Sequence, residues 1–271
     1  MALNISSYTQ PATYLAYWQG QGLFLGKAPA TFILSYLPWP KELTPLPYAL
    51  PVLGGKGKCS HQMQDAPLTD EAYAVISLNS MGAPALAILL EALIAWGGKR
   101  FILIGTAGSL GTIQMGDLIT PTQGWGEDGV SQEYHRAAAG HNTPRPSWCF
   151  PHQVWQENFN AVFTPVKLVT TDAFFLETPT KVQAWQALGI KAIDLEAAAF
   201  FKICQLREVP AAAAMVISDI VQEAWRPKFK QAELSTKALE LWQKVLAIAT
   251  SPFPILPKIE KYESYGAAKE F

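Results

Sequence analysis

Short apolar runs, each cut off by polar residues or glycine, recur along the chain and have the length of buried strands: 31–34, 74–77, 100–104, 117–120, 166–170, 191–196 and 211–219. Between and after them lie helical stretches. Residues 84–96 are almost continuously apolar and stop at Gly97-Gly98; residues from Ala197 to about Leu206 follow the strand at 191–196; an amphipathic stretch runs from about Gln231 to Ala249. The connection from 74–77 through the helix 84–96 to 100–104 suits a parallel crossover, and strands alternate with helices in the second half, so the expected class is α/β. Residues 123–160, rich in Gly, Pro, His, Asn and Trp, read as a long irregular excursion of the kind that covers a site. The first 28 residues show no clear period, and no internal repeat is found.

Two of these strands end in acids. The run 213–219 closes on Ser218 and Asp219, and the run 191–196 closes on Glu196, which opens the helical stretch after it. A carboxylate at the end of a buried strand costs folding free energy unless it is paired or protonated, which invites a functional reading. The two acids are expected at the carboxyl ends of successive strands, the edge where open α/β sheets hold ligands. Plainer readings stand beside this one: Glu196 as an acid favoured by a helix N-terminus, and Asp219 as the cap of the next turn. Asp194, with the same strand parity as Glu196, reads as a helix-entry residue.

Composition narrows the setting. Apolar residues make up 49% and charged residues 16%, which gives ample core and little material for disorder. A net charge of -1 and the absence of a Lys/Arg stripe argue against a nucleic-acid partner, the short basic segment at 226–230 reading as a solvated turn. The cysteines Cys59, Cys149 and Cys204 are widely separated and odd in number, which fits neither a disulfide framework nor a zinc site and points to a reducing, cytoplasmic setting. The stretch 84–96 is interrupted by Glu91 and is too short for a membrane span; no signal peptide is read at the N-terminus.

Directly after the strand 100–104 comes Gly105-Thr106-Ala107-Gly108-Ser109-Leu110-Gly111. Glycines there let the backbone approach a ligand, and successive N–H groups with the two hydroxyls can hold an anion. A plain tight turn is the alternative. Neither the dinucleotide nor the nucleoside-triphosphate glycine spacing is present.

The succession from Ile104 to Leu110, then Met115-Gly116-Asp117-Leu118-Ile119, Glu127-Asp128-Gly129-Val130-Ser131, Thr170-Thr171-Asp172-Ala173-Phe174-Phe175, Asp194-Leu195-Glu196-Ala197-Ala198-Ala199 and Ile217-Ser218-Asp219 resembles the nucleoside phosphorylase family, which includes the methylthioadenosine nucleosidases. The segments occur in family order over residues 75–220, while residues 1–70 match poorly. The resemblance implies one domain over residues 1–271, a three-layer α/β/α arrangement with a central mixed, twisted sheet. It implies cleavage of the N-glycosidic bond of a nucleoside, a homo-oligomer, and no metal or organic cofactor, with inorganic phosphate as co-substrate.

By the same resemblance Glu196 holds the two ribose hydroxyls and favours the positive charge that builds on the sugar, while Asp219 protonates or hydrogen-bonds the departing base. Burial at the end of an apolar strand favours the protonated carboxyl that the second role needs. Thr106, Gly108, Leu195 and Ser218 are further substrate contacts. Phe174 and Phe175 sit where the family stacks a ring on the base, Phe174 being preferred, with packing in a core as the alternative. Met81 and Gly82 match the loop beneath the ribose. The Ser-Asp pair leans the substrate toward purines, since the Gln and Arg of uridine-cleaving relatives are missing from Leu176-Glu177-Thr178-Pro179-Thr180-Lys181.

The chain departs from the family pattern at phosphate. Leu103 stands where phosphorylases carry an Arg, and the N-terminal Arg segment has only the loose counterpart Pro38-Trp39-Pro40-Lys41-Glu42. Gly105, Thr106 and Lys41 are then the expected phosphate contacts, with Lys58 or His61 of a neighbouring subunit as further candidates. Phosphorolysis with a weak phosphate site is the leading expectation; phosphate-independent hydrolysis, with Glu42 a remote candidate for activating water, and a nucleoside sensor without turnover are the alternatives.

Overall fold

A computed structural model describes residues 7–53, 55–60, 72–139, 146–222, 225–227 and 232–251. The first half carries α1 (Pro11–Gly20), β1 (Thr31–Ser35), β2 (Tyr48–Leu50), β3 (Gly55–Cys59), β4 (Tyr73–Leu78), α2 (Ala83–Trp96), β5 (Arg100–Ser109), β6 (Leu118–Gly126) and α3 (Gly129–Ala139). The second half carries β7 (Ser147–Cys149), α4 (Gln153–Asn160), β8 (Thr164–Thr170), α5 (Pro179–Ala187), β9 (Ile190–Asp194), α6 (Ala197–Leu206), β10 (Ala211–Ile220), β11 (Arg226–Pro227) and α7 (Ala232–Ala249).

Period-two alternation in the buried strands makes three layers. Phe32 and Leu34 of β1, Phe101 and Leu103 of β5, and Ala213 and Met215 of β10 face one core, which Leu86, Leu90 and Leu93 of α2 and Phe200, Phe201 and Ile203 of α6 complete. Ile33, Ile102, Ile104, Ala212, Ala214 and Val216 face the other, against Trp155 and Phe159 of α4 and Leu241, Trp242 and Val245 of α7. A sheet covered on both faces explains why these strands read as continuous apolar runs.

The sheet is mixed. β1 lies between β4 and β5, parallel to both. β5 also pairs in parallel with β10, and β10 pairs antiparallel with β6. β6, β8 and β9 follow in parallel, and β9 returns antiparallel to β5, closing β5-β10-β6-β8-β9 into a ring. Glu196 and Asp219 do stand at the carboxyl ends of the successive strands β9 and β10, but the expectation that these ends share one edge of the sheet is corrected. β9 runs opposite to β5 and β10, so the two acids approach along β5 from opposite directions.

Two further expectations change. Residues 123–160 are not an irregular excursion: β6 extends to Gly126, and α3, β7 and α4 follow it. The start of α3 rests on polar caps rather than apolar period. Asp128 accepts from the Ser131 N–H at 2.7 Å and the Ser131 hydroxyl at 2.6 Å, and Asp172 accepts the Gly129 N–H at 2.7 Å. Within the unassigned first 28 residues, Pro11 starts α1, the helix N-terminus being where proline costs nothing. The expected helix 84–96 is α2, ended by Gly97 in the left-handed conformation at φ 116°.

Candidate functional site

Glu196 stands between β9 and α6, and it does not cap its own helix. Asp194 does that work: its carboxylate accepts the Ala197 N–H at 2.8 Å and the Thr170 hydroxyl at 2.5 Å, as expected of a helix-entry residue. Glu196 is turned the other way and accepts the N–H of Gly82, the residue that begins α2. Gly82 has φ 100°, a backbone that side chains rarely adopt. Two helix N-termini thus converge on one buried carboxylate, a field that favours its charge. Far from the site α2 and α6 are tied again, Arg207 holding Glu91 through contacts of 2.7 and 2.9 Å.

Burial, and then the neighbouring Glu196, push Asp194 well above the carboxylate range. Burial also raises Glu196, while the Gly82 N–H, Tyr36 and the Leu195 backbone pull it back. Burial thus disfavours charge on both acids, and the donors around Glu196 oppose that push on its side of the pair. Tyr36 lies against Glu196. Its hydroxyl is buried and makes no formed hydrogen bond, and its ring lies 3.5 Å from where a Cβ on Gly105 would stand.

At the other end Asp219 is positioned by a bulge. Ile217 pairs with Ala107 but Asp219 with Gly108, so Ser218 is the extra residue, and such a bulge re-aims the side chain beside it. The Ser218 hydroxyl donates to Asp219 Oδ1 and the Trp225 indole N–H to Oδ2, both at 2.8 Å. These side-chain donors, rather than the backbone of a turn, occupy its oxygens. Gly108 is required by closeness: a Cβ there would meet Ile193 at 3.0 Å, Val221 at 3.1 Å and Asp219 Oδ2 at 3.3 Å. Trp225 also packs edge-on to Phe174 at 6.1 Å. Glu177 is close enough to feel the Asp219 charge. Partial burial, and then that charge, push the Glu177 carboxyl up to about 7 against the opposing pull of Lys181.

β5 joins the two ends. β1 covers its edge as far as Ile104 and β9 takes over at Gly108, which leaves Gly105, Thr106 and Ala107 beside a split between the two strands. A split of this kind is where α/β sheets hold ligands. The three steps from Gly105, beside Tyr36, to Gly108, beside Asp219, span roughly 10 Å at a strand's rise per residue. That matches a sugar carrying a flat heterocycle.

Other expected residues fall differently. Gly105 to Ser109 is not a turn after the strand but part of β5, and the Ser109 hydroxyl is used by the Gly111 and Ile113 N–H groups. Thr106 stays half-buried at the split, and Leu195 is half-buried between the two acids of its segment. Met81 is 79% exposed and Phe175 94% exposed, whereas Phe174, at 37%, lies against Trp225. Lys41 is exposed on a loop whose Trp39 packs against Trp242 of α7, and no contact joins it to Gly105 or Thr106. Glu42 is exposed beside it, Lys58 lies on β3, and His61 falls outside the described residues. Leu103, at 1% exposure, is core. Tyr36, Glu177 and Trp225 were not found from sequence. The only signal for Tyr36 is a hydroxyl-bearing aromatic just past a strand end.

Residues 68–251 match the sequence model of the Phosphorylase superfamily. The chain belongs to this superfamily. Guanosine phosphorylase of Halorubrum lacusprofundi is 25% identical over 149 residues, 55% of this chain and 61% of that protein. A DeoD-type purine nucleoside phosphorylase of Caldanaerobacter subterraneus subsp. tengcongensis is 24% identical over 145 residues, 52% of this chain and 62% of that protein. The matched part of the chain thus spans under two thirds of these relatives. Two solved structures share the superfamily fold. Purine nucleoside phosphorylase of Toxoplasma gondii in complex with immucillin-H has a TM-score of 0.60 at 18% identity, covering 83% of this chain and 91% of that one. A futalosine hydrolase mutant of Helicobacter pylori has a TM-score of 0.58 at 16% identity, covering 83% and 98%. Among the described residues no helix is long and apolar enough to cross a membrane.

Proposed function

We propose that this protein cleaves the N-glycosidic bond of a purine nucleoside, with phosphate as a weakly held co-substrate. The observation that carries the reading is two buried acids at the ends of strands that flank β5: Glu196, held by the Gly82 N–H, beyond β9, and Asp219, opposite Gly108, on β10. Breaking the bond builds positive charge on the ribose and negative charge on the base, so one end needs an anion and the other a proton source. Glu196 offers two oxygens to the 2′ and 3′ hydroxyls and an anion to the sugar; Asp219 faces the base, whose plane lies against Phe174. The purine and guanosine phosphorylases among the relatives support this substrate class. A homo-oligomer working in the cytoplasm, with no metal or organic cofactor, belongs to the same reading.

Hydrolysis is the second reading, favoured by two observations: Leu103 is core, and Lys41 is exposed on a loop with no hydrogen bond to the glycine segment. An anion beside Gly105 then relies on backbone and hydroxyl donors, without the bidentate fork of an Arg. Base release is measured in phosphate-free buffer, then across a phosphate titration with analysis of the sugar product. The expected outcome is ribose 1-phosphate formed only at high phosphate. Full activity without phosphate and free ribose as product would replace phosphorolysis with hydrolysis, and saturation at low phosphate would mean that a strong anion site exists elsewhere.

Glu177 gives this reaction a pH limb. Below about 7 its carboxyl is neutral; above, it adds negative charge beside Asp219 and opposes the charge developing on the base. The kcat/KM for an ordinary purine nucleoside is expected to fall as pH rises through about 7, and Glu177→Gln to remove that fall. A limb that persists unchanged in the variant assigns it to another group.

A further inference from the structure

Trp225 reaches the site by a return of the chain after β10. β11 pairs antiparallel with the end of β10, Ile220 opposite Arg226 and Asp219 opposite Pro227, which brings the residue just before β11 back over the carboxylate. β11 is an edge strand, a position where proline is tolerated. In that position the contacts of Trp225 include two of different kinds. Its Nε1–H donates to Asp219 Oδ2 at 2.8 Å, and its ring meets Phe174 edge-on at a centroid distance of 6.1 Å and an interplanar angle of 85°.

A carboxylate terminal torsion is broad and two-fold, so a single donor leaves its plane loose. Asp219 has two donors on different oxygens, the Ser218 hydroxyl on Oδ1 and the indole on Oδ2. Together they fix the plane and the direction in which Oδ2 presents its remaining lone pair. The ring stays 52% exposed, so it lines the opening of the site rather than the core.

We propose that Trp225 is a positioning residue for Asp219 and the outer wall of the base site: its N–H fixes the carboxylate, and its ring with Phe174 forms the aromatic corner that receives a flat heterocycle. This rests on the purine-nucleoside reading above. The two halves separate by substitution. Trp225→Phe keeps an aromatic ring and deletes the N–H, while Trp225→Leu removes both.

The test compares kcat and KM of the wild type and both variants on inosine and on 7-methylinosine, whose base departs without being protonated. Trp225→Phe is expected to lower kcat on inosine about tenfold, the scale of one hydrogen bond to a charged group, with KM within about twofold and 7-methylinosine unaffected. Trp225→Leu is expected to add a rise in KM of about fivefold on both substrates, the scale of an aromatic contact. Wild-type kinetics in Trp225→Phe, or equal losses on the two substrates, would overturn the positioning half. An unchanged KM in Trp225→Leu would overturn the wall. A wild type that releases no base from either substrate overturns the functional reading and, with it, the positioning half. The wall is then decided by calorimetry with inosine, where Trp225→Leu must weaken binding about fivefold and an unchanged affinity overturns it.

Discussion

Glu196→Gln is expected to leave the fold intact and to slow purine-nucleoside cleavage by roughly 10²- to 10³-fold, the loss seen when one preorganised electrostatic contact to a transition state is removed. The fold should survive because the amide oxygen still accepts the Gly82 N–H and the charge that burdens Asp194 disappears. Turnover suffers because an amide cannot offset positive charge on the ribose. It also accepts from only one of the two hydroxyls that a carboxylate holds together. For the same reason 2′-deoxynucleosides are expected to be poor substrates of the unsubstituted protein. Thermal melting and steady-state kinetics measured together check this. Unchanged kinetics in a folded Glu196→Gln protein would remove Glu196 from the mechanism.

The second large effect is at the base. Asp219→Asn retains an oxygen for the Ser218 hydroxyl or the Trp225 N–H but has no acidic proton to give, and its amide clashes with whichever donor it faces. Loss of a general acid is worth on the order of 100-fold or more, so cleavage of inosine or adenosine should drop by at least that. A 7-methylated nucleoside leaves with its charge already neutralised and should lose far less. Equal losses on the two substrates would make Asp219 a structural residue that the bulge at Ser218 merely accommodates.

Both acids were legible in the sequence because each interrupts a buried apolar run, which is costly unless the acid has a use. The layers were legible for a related reason: β1, β5 and β10 are apolar at every position since both faces of the sheet are covered. The direction of β9 was not legible. A strand's composition does not say which neighbour it joins, and only the ring through β6 and β8 sets β9 against β5. Residues 123–160 misled because α3 begins on Asp128 and Ser131 caps and presents a polar surface, so the apolar period is weak. Tyr36, Glu177 and Trp225 reach the site through the ends of a strand, a short 3₁₀ turn and a chain return, places where periodicity carries no information. The phosphate question was raised by Leu103 and by the missing N-terminal Arg segment, and the burial of Leu103 in the core sharpens it.

The measurement that bears most directly on the central claim is release of free base from inosine and adenosine during long incubation with the wild-type protein, with and without phosphate, beside Glu196→Gln and a binding isotherm for each nucleoside. The expected result is base formed in proportion to protein and time, and nearly abolished by Glu196→Gln. Nucleosides that bind saturably to the wild type and are recovered intact would contradict it, leaving a pocket that holds purine nucleosides without cleaving them.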